Sequence, residues 1–229
     1  QLRAVATHED GSAARLELTL VEARPPVLHG DAGLSRKGPE PGNASYYYSL
    51  IGLASRGTFT LGDHSVQVTG RSWMDHEFGT SALSANALGW DWFSVQLDGV
   101  QSADGLALMF ARIRTADGGA LDEFEGTLVQ PDGTQQPIGT GDFTLEVLDR
   151  WTSPRTGIPY PSGWRVYLPA YDLELTLLPV VRDQEMDVSF VYWEGAVTVT
   201  GTQAGAPVQG HGYVELTGYG SRAAGDYQR

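Results

Sequence analysis

Short stretches of alternating apolar and polar residues, each bounded by turn residues, are the feature that most constrains the fold of this chain. The alternation is clear at residues 58–68 and 164–168, and a period of two is typical of a strand that buries one face. Turn-forming pairs such as Asp117-Gly118 stand between the stretches and favour hairpins. Because the chain also has 29 glycines and no long helical pattern, we predict an all-β, antiparallel barrel or sandwich.

An internal repeat supports this prediction. The pentapeptide LELTL occurs at residues 16–20 and again at 173–177, and each copy is followed, after a tyrosine-containing stretch, by Val-x-Gly-x-x-aromatic at 68–73 and 208–213. The order of these elements fits two copies of one β unit. The second copy is predicted to open with strands that have no counterpart before Gln1. Since open sheet edges are normally covered, we expect the missing strands to come from another chain or from a segment that was removed.

The bulk composition excludes several classes of function. The chain has 28 acidic and 15 basic residues, for a formal charge of -13, which disfavours nucleic acid as a partner. It has no cysteine, so disulfides, thiolate nucleophiles and cysteine metal sites are excluded. No apolar run approaches the roughly 20 residues of a membrane span, and no export leader opens the chain. We expect a soluble protein whose export signal was removed or never existed.

The candidate chemistry lies in GRSWMDHEFG at residues 70–79 and in GWDW at 89–92. These strings place three consecutive ionisable residues among large aromatic side chains, an environment in which desolvation raises the pKa of a carboxyl group. The ionisable residues are Asp75, His76 and Glu77, and the aromatic ones are Trp73, Phe78, Trp90 and Trp92.

On a strand, Trp73, Asp75 and Glu77 share one face. Two neighbouring carboxyls do not both ionise cheaply in an apolar site, so one of them is a candidate general acid. The alternative interpretation is structural: the carboxylates cap backbone N–H groups or pair with arginine. Trp90 and Trp92 likewise share one face, and either fill a core or line a pocket.

Other catalytic motifs are missing. The five histidines have no metal-ligand spacing, no G-x-S-x-G elbow occurs, and no glycine-rich phosphate or dinucleotide motif is present. The sequence therefore predicts no metal and no cofactor. A long loop at residues 23–44, rich in proline and glycine, is interpreted as a surface crossover.

Five ordered strings resemble the bacterial lipocalin-like family, which includes secreted AttH-type proteins and the carotenoid 1,2-hydratases. They are KGPEPGNASYYYS at 37–49, SWMDHEFGTSAL at 72–83, GWDWF at 89–93, YWEGAV at 192–197 and GYVELTGYG at 212–220. The resemblance implies two lipocalin-like antiparallel β-barrels, the first of them incomplete in this chain. The sequence matches the C-terminal two thirds of the family, and the family's upstream half barrel is absent from it. On that basis residues 1–88 belong to the first barrel, 89–220 to the second, and 221–229 form a tail.

The same resemblance implies a site and a location. In the carotenoid hydratases an aspartate that matches Asp75 is thought to protonate a double bond before water is added, and their Trp-Asp-Trp matches residues 90–92. The sequence departs from the hydratases at His76 and Glu77, which puts the substrate in doubt. The resemblance also implies that this protein is secreted, periplasmic or associated with the cell envelope.

These observations leave three functional hypotheses open. In the first two, the expected partner is an apolar small molecule. The first is an acid-catalysed hydratase or cyclase of an isoprenoid or lipid-like substrate, the second a non-catalytic lipid carrier, and the third a filled barrel that acts as an interaction module. The hydro-lyase is the favoured enzyme class. Its catalytic residues would be Asp75, His76 and Glu77, and its ligand-binding residues Tyr48, Trp73, Trp90, Asp91 and Trp92.

Overall fold

The protein is built almost entirely from β-strands. A computed structural model describes residues 1–7, 11–80, 83–99, 105–122, 126–188 and 190–220. Within these ranges there are eighteen strands, one 3₁₀ helix at Pro169–Tyr171 and no α-helix, which confirms the all-β prediction. The predicted tail at 221–229 lies outside the described residues.

The strands fall into three sheets. The first, with six strands, contains β1 (Leu2–Thr7), β2 (Ala13–Val21), β3 (Val27–Leu28), β4 (Leu34–Arg36), β5 (Ala44–Leu61) and β6 (His64–Phe78). The second, with ten strands, contains β7 (Ala87–Leu97), β8 (Ala107–Thr115), β9 (Gly126–Val129), β10 (Gln135–Ile138), β11 (Thr144–Val147), β14 (Trp164–Leu168), β15 (Leu173–Pro179), β16 (Glu185–Asp187), β17 (Val191–Gln203) and β18 (Ala206–Leu216). The third pairs β12 (Arg150–Thr152) with β13 (Pro159–Pro161).

The chain divides into two compact units that interleave along the sequence. Unit 1 comprises residues 1–27 and 48–76, and unit 2 comprises residues 28–47 and 77–229. Strands β5 and β6 therefore each contribute to both units. The domain boundary predicted at residue 88 remains a prediction.

Unit 1 is an antiparallel arrangement in which β2 pairs with β1 on one side and with β5 on the other. A turn at Gly62-Asp63 joins β5 to β6, within the stretch 58–68 that alternates in the sequence. Gly62 takes a positive φ of 57°, which suits a tight hairpin. Its leucines on β2 are half-buried.

Unit 2 holds the large hydrophobic core. Its ten-stranded sheet runs in the order β10-β9-β8-β7-β18-β17-β15-β14-β11, and β16 pairs with β17. Strand β14 coincides with the predicted stretch 164–168. Phe93 stacks on Phe110 with ring centroids 4.6 Å apart, and its edge meets Trp164 at 5.6 Å. The core side chains come from inward positions along the strands, as a period of two requires.

The two LELTL copies occupy equivalent places in two antiparallel strand pairs, β2 with β5 and β15 with β17. Leu18 on β2 lies opposite Gly57 on β5, and Leu175 on β15 lies opposite Gly201 on β17. A Cβ atom at Gly57 would come within 1.8 Å of the Glu17 carbonyl oxygen, and one at Gly201 within 2.0 Å of the Glu174 carbonyl oxygen. In both strand pairs the two backbones come so close together that only glycine fits, which supports the predicted duplication.

No stretch of the described residues forms a helix with the length and apolar character needed to span a membrane.

Candidate functional site

Asp75 lies near the end of β6 and is held by two neutral donors of unit 1. Its Oδ1 accepts a hydrogen bond from the Trp73 indole Nε1 at 3.0 Å and another from the Ser49 hydroxyl. Trp73 and Asp75 are two residues apart on the strand, so they share a face as predicted. These contacts fix the carboxylate in one orientation.

The surroundings of this carboxylate are more open than the sequence led us to expect. Asp75, His76 and Glu77 are exposed, and Trp73 is only half-buried. The desolvation that was predicted to favour a protonated carboxyl is therefore not provided by the described part of the chain. A polar groove of about 430 Å³ does occur in unit 1, over the paired strands β2 and β5, but none of the predicted site residues lines it.

His76 belongs to the opposite face of β6. Its Nδ1 lies 2.8 Å from the Tyr48 hydroxyl, and the two rings meet edge to face with centroids 5.1 Å apart. Two of the predicted site residues are thus brought together, although on the face away from Asp75. The hydroxyl of Tyr48 orients the imidazole, since a hydrogen bond to one ring nitrogen sets the role of the other.

Glu77 has a cationic partner in unit 2. Its Oε1 lies 2.7 Å from the Lys37 ammonium and also accepts a hydrogen bond from the Ser45 hydroxyl. The Lys37 side chain is only 13% exposed. Burial lowers its pKa, and the charge of Glu77 partly opposes that shift. The carboxylate of Glu77 is therefore neutralised by an ion pair, the structural alternative of the sequence analysis with lysine in place of arginine.

Residues 28–47 form a packed segment of unit 2 that the sequence analysis interpreted as part of a surface crossover. Its His29 is 1% exposed, with Nδ1 2.9 Å from the Thr127 hydroxyl. Burial, and secondarily the charge of Lys37, lowers the pKa of His29 to about 3, so its ring is neutral at pH 7. Tyr47 stacks at a tilt on His29, with centroids 4.3 Å apart, and its hydroxyl accepts from Trp92 Nε1 at 3.0 Å.

Asp91 does not share a surface with the tryptophans that flank it. Trp90 and Trp92 are half-buried, whereas Asp91 is 1% exposed and points to the other face of β7. There its Oδ2 accepts from Arg112 Nη2 at 3.1 Å, and its Oδ1 accepts from Arg114 Nε at 2.9 Å. A buried carboxylate needs such partners. The Trp-Asp-Trp string is therefore divided between the two faces of β7: the two tryptophans lie on one face and Asp91 on the other.

Tyr219 completes the surroundings of Asp91. Its hydroxyl donates to Asp91 Oδ1 at 2.9 Å, and burial together with the Asp91 charge raises its pKa, so the phenol keeps its proton at neutral pH. The Arg114 guanidinium lies 3.9 Å from the centre of the Tyr219 ring, within cation–π range. Arg114 Nη2 also donates to the Thr217 carbonyl oxygen.

Metal binding has no visible basis in the described ranges: they contain no group of three or more histidine, cysteine, aspartate or glutamate side chains that could hold an ion.

Comparison with known proteins places the chain in a family. A family model described as AttH-like matches residues 1–219. The chain belongs to the AttH-like family. A Nitrosomonas europaea protein of known crystal structure, assigned as an AttH, is 35% identical in sequence to this AttH-like chain. The two structures match with a TM-score of 0.80, over 95% of this chain and 68% of the other.

Two further relatives are enzymes by name. Kievitone hydratase from Nectria haematococca has a TM-score of 0.72 at 17% identity, over 93% of this chain and 63% of its own. The dehydratase asqC of Emericella nidulans is 22% identical over 87% of this chain, which spans 57% of its length. These neighbours confirm the predicted all-β, lipocalin-like fold class.

The sequence analysis missed His29, Lys37 and Tyr47. Tyr47 stands in the tyrosine triplet 46–48, where the alternation of a strand requires at least one inward side chain. His29 gave no signal, because its partner Thr127 is 98 residues away. The basic pair Arg36-Lys37 in a chain short of cations was the one clue to Lys37.

Proposed function

We propose that this protein is a hydro-lyase that adds water to, or removes water from, a carbon–carbon double bond of a hydrophobic, isoprenoid or lipid-like substrate. The observation that supports it most is the fixed carboxylate of Asp75, held by the Trp73 indole and the Ser49 hydroxyl. Kievitone hydratase has a similar fold, and the dehydratase asqC is similar in sequence. A carboxyl group held in one orientation is the part such a reaction requires.

In the proposed hydration, the carboxylic acid form of Asp75 transfers its proton to one carbon of the double bond. Water attacks the other carbon, and the proton that the attacking water loses returns to the Asp75 carboxylate. The π face of Trp73 would stabilise the positive charge that develops between these two steps. Dehydration is the same sequence in reverse: the acid form of Asp75 protonates the hydroxyl group, which leaves as water, and the Asp75 carboxylate then removes a proton from the neighbouring carbon.

The neighbouring residues have more limited roles in this proposal. Glu77 was predicted to favour protonation of Asp75 by charge repulsion, but the ammonium of Lys37 at 2.7 Å balances its charge. His76 is held by Tyr48 on the face of β6 away from Asp75, so the predicted roles of His76 in catalysis and of Tyr48 in ligand binding stay predictions. The predicted roles of Trp90 and Trp92 in ligand binding stay predictions.

Binding without catalysis is the second candidate, and the exposure of Asp75 favours it. A solvated aspartate is ionised at neutral pH and is a poor proton donor. In a carrier, the same aromatic side chains would bind the ligand and Asp75 would have no chemical part.

Labelled water distinguishes the two candidates. We expect the protein to incorporate ¹⁸O from H₂¹⁸O into an acyclic terpenoid alkene, as measured by mass spectrometry. Asp75→Asn should lower this rate by at least about 100-fold, because general acid catalysis contributes roughly 10²–10⁴-fold. The matched control is Asp63→Asn in the turn of the same hairpin, which should leave the rate unchanged.

Binding of the same alkene is measured in parallel by competition with an apolar fluorescent probe. Full hydration activity in Asp75→Asn would rule out the proposed acid. Alkene binding by the wild-type protein with no ¹⁸O uptake would select the carrier, and absence of both would rule out both candidates.

A further inference from the structure

The arginine pair around Asp91 in unit 2 has more positive charge than its carboxylate balances. Arg112, Arg114 and Asp91 together have a formal charge of +1, in a chain whose formal charge is -13. The side chains of Arg114 and Asp91 are 16% and 2% exposed, and that of Arg112 is 34% exposed. An excess charge in such a setting is stabilised by a counter-ion.

The hydrogen bonds of the two arginines differ. Arg114 donates through Nε to Asp91 and through Nη2 to the Thr217 carbonyl oxygen, while its plane rests on the Tyr219 ring. Arg112 donates to Asp91 through Nη2, and its Nε is buried without an acceptor in the described part of the chain. A buried donor without an acceptor is unfavourable, so this nitrogen is a candidate donor to a bound ligand.

An aromatic wall extends from this cluster. The Tyr219 ring lies against Tyr160 with centroids 5.6 Å apart, and Tyr160 stacks on Trp151 at 6.3 Å. Tyr160 is buried, whereas Trp151 is only half-buried. Planar apolar groups therefore stand beside the guanidinium groups, an arrangement that suits an anion attached to a flat organic body.

From these contacts we propose that the Asp91, Arg112, Arg114 and Tyr219 cluster binds the carboxylate of a planar organic acid. Arg112 provides the primary contact, because its Nε is the donor that lacks an acceptor and a guanidinium holds a carboxylate with two parallel hydrogen bonds. Arg114 is the positioning residue, since its contacts to Asp91, Thr217 and Tyr219 hold it in place. The aromatic rings contact the body of the acid.

This site is independent of the hydro-lyase proposal. The proposed acid of that reaction, Asp75, belongs to unit 1, and the arginine cluster is described entirely by contacts within unit 2. The two proposals can therefore fail separately.

The test is calorimetric titration of the full chain with sodium benzoate and with sodium acetate, at constant ionic strength set with sodium chloride. We expect benzoate to bind at least about ten times more tightly than acetate. We expect Arg112→Gln to weaken benzoate binding at least about tenfold. The control is Arg165→Gln on β14, an exposed arginine that pairs with Glu146 at 3.0 Å, and it should bind benzoate like the wild type.

A second variant keeps the test valid if Arg112→Gln does not fold. Arg112→Lys preserves a positive charge beside Asp91 but removes the forked donors, so it too should weaken benzoate binding. In addition, benzoate should raise the melting temperature of the wild-type protein above its value in chloride of equal ionic strength. Equal melting temperatures in the two salts, equal affinity for benzoate and acetate, or full benzoate binding by both Arg112 variants would each overturn the proposal.

Discussion

The pentapeptide LELTL lies in β2 of unit 1 and in β15 of unit 2, and its leucines have different surroundings in the two places. In unit 2, Leu173, Leu175 and Leu177 are 0% exposed and belong to the large core. In unit 1 the matching leucines are half-buried. The pairing is the same in both strand pairs, with the central leucine opposite a glycine. Local sequence therefore determines strand and register, while burial depends on what packs against the strand.

Truncation of the central leucine tests this difference most directly. Leu175→Ala should lower the free energy of unfolding by about 2–5 kcal/mol, because it opens a cavity in a close-packed core. Leu18→Ala, at a half-buried position, should cost about 1 kcal/mol. Urea denaturation followed by tryptophan fluorescence and by circular dichroism measures both. Equal losses for the two variants would contradict the comparison.

The glycines opposite the two leucines test what the units have in common. An alanine Cβ at either position would overlap a carbonyl oxygen, that of Glu17 for Gly57→Ala and that of Glu174 for Gly201→Ala. Because each overlap is between backbones, we expect similar losses of about 1–3 kcal/mol in unfolding free energy. If Gly57→Ala left the unfolding free energy unchanged while Gly201→Ala lowered it, the two strand pairs would not be equivalent.

Two histidines extend the comparison to pH. His29 of unit 2 is buried with a pKa of about 3, below its ordinary value of about 6.5, so the unfolded chain binds this proton first. The stability that neutral His29 contributes is complete above about pH 6.5 and is lost as the pH falls toward 3. Between pH 7 and 5.5 the loss should be about 1 kcal/mol.

The measurement is urea denaturation across this range of pH. His29→Gln should remove that part of the pH dependence of the unfolding free energy. The matched change in unit 1, His64→Gln at the exposed start of β6, should not. A wild-type profile retained by His29→Gln would rule out His29 as the source.

The smallest effect is expected at the charged residue within each LELTL copy. Glu17 pairs with Arg3 at 3.2 Å, and Glu174 pairs with Arg165 at 3.7 Å, all four side chains being well exposed. Exposed ion pairs contribute little, so Glu17→Gln and Glu174→Gln should each change the unfolding free energy by less than about 0.5 kcal/mol. Thermal denaturation at low and high salt checks this. A loss above 1 kcal/mol in only one unit would show that the two pairs differ.

Much of the fold was predictable because it follows from local alternation and turn chemistry. The stretch 164–168 was predicted as a strand and is β14, and the Gly62-Asp63 turn joins β5 to β6. The segment 23–44 was predicted as a loop, although it contains two short strands, β3 and β4. A strand of two or three residues is too short to show a period of two.

The candidate site was predictable only in part. The shared face of Trp73 and Asp75 follows from their spacing, and the structure brings the two together. The partners of Glu77 and Asp91 do not follow from spacing, because Lys37 and Arg114 lie 40 and 23 positions away along the chain. Exposure was also missed at Asp75, since a run of aromatic residues in a sequence does not say how much of it solvent reaches.

The interleaving of the two units has a consequence for any attempt to divide the protein. The chain passes from one unit to the other within β5, between residues 47 and 48, and again within β6, between residues 76 and 77. A single cleavage therefore cannot separate the two units. A break between residues 47 and 48 leaves a piece of each unit on both products, and a break between residues 76 and 77 leaves residues 28–47 of unit 2 on the product that carries unit 1. Fragment complementation with this chain would work best with a break in an exposed turn such as Gly62-Asp63, where both halves keep whole strands to pair through.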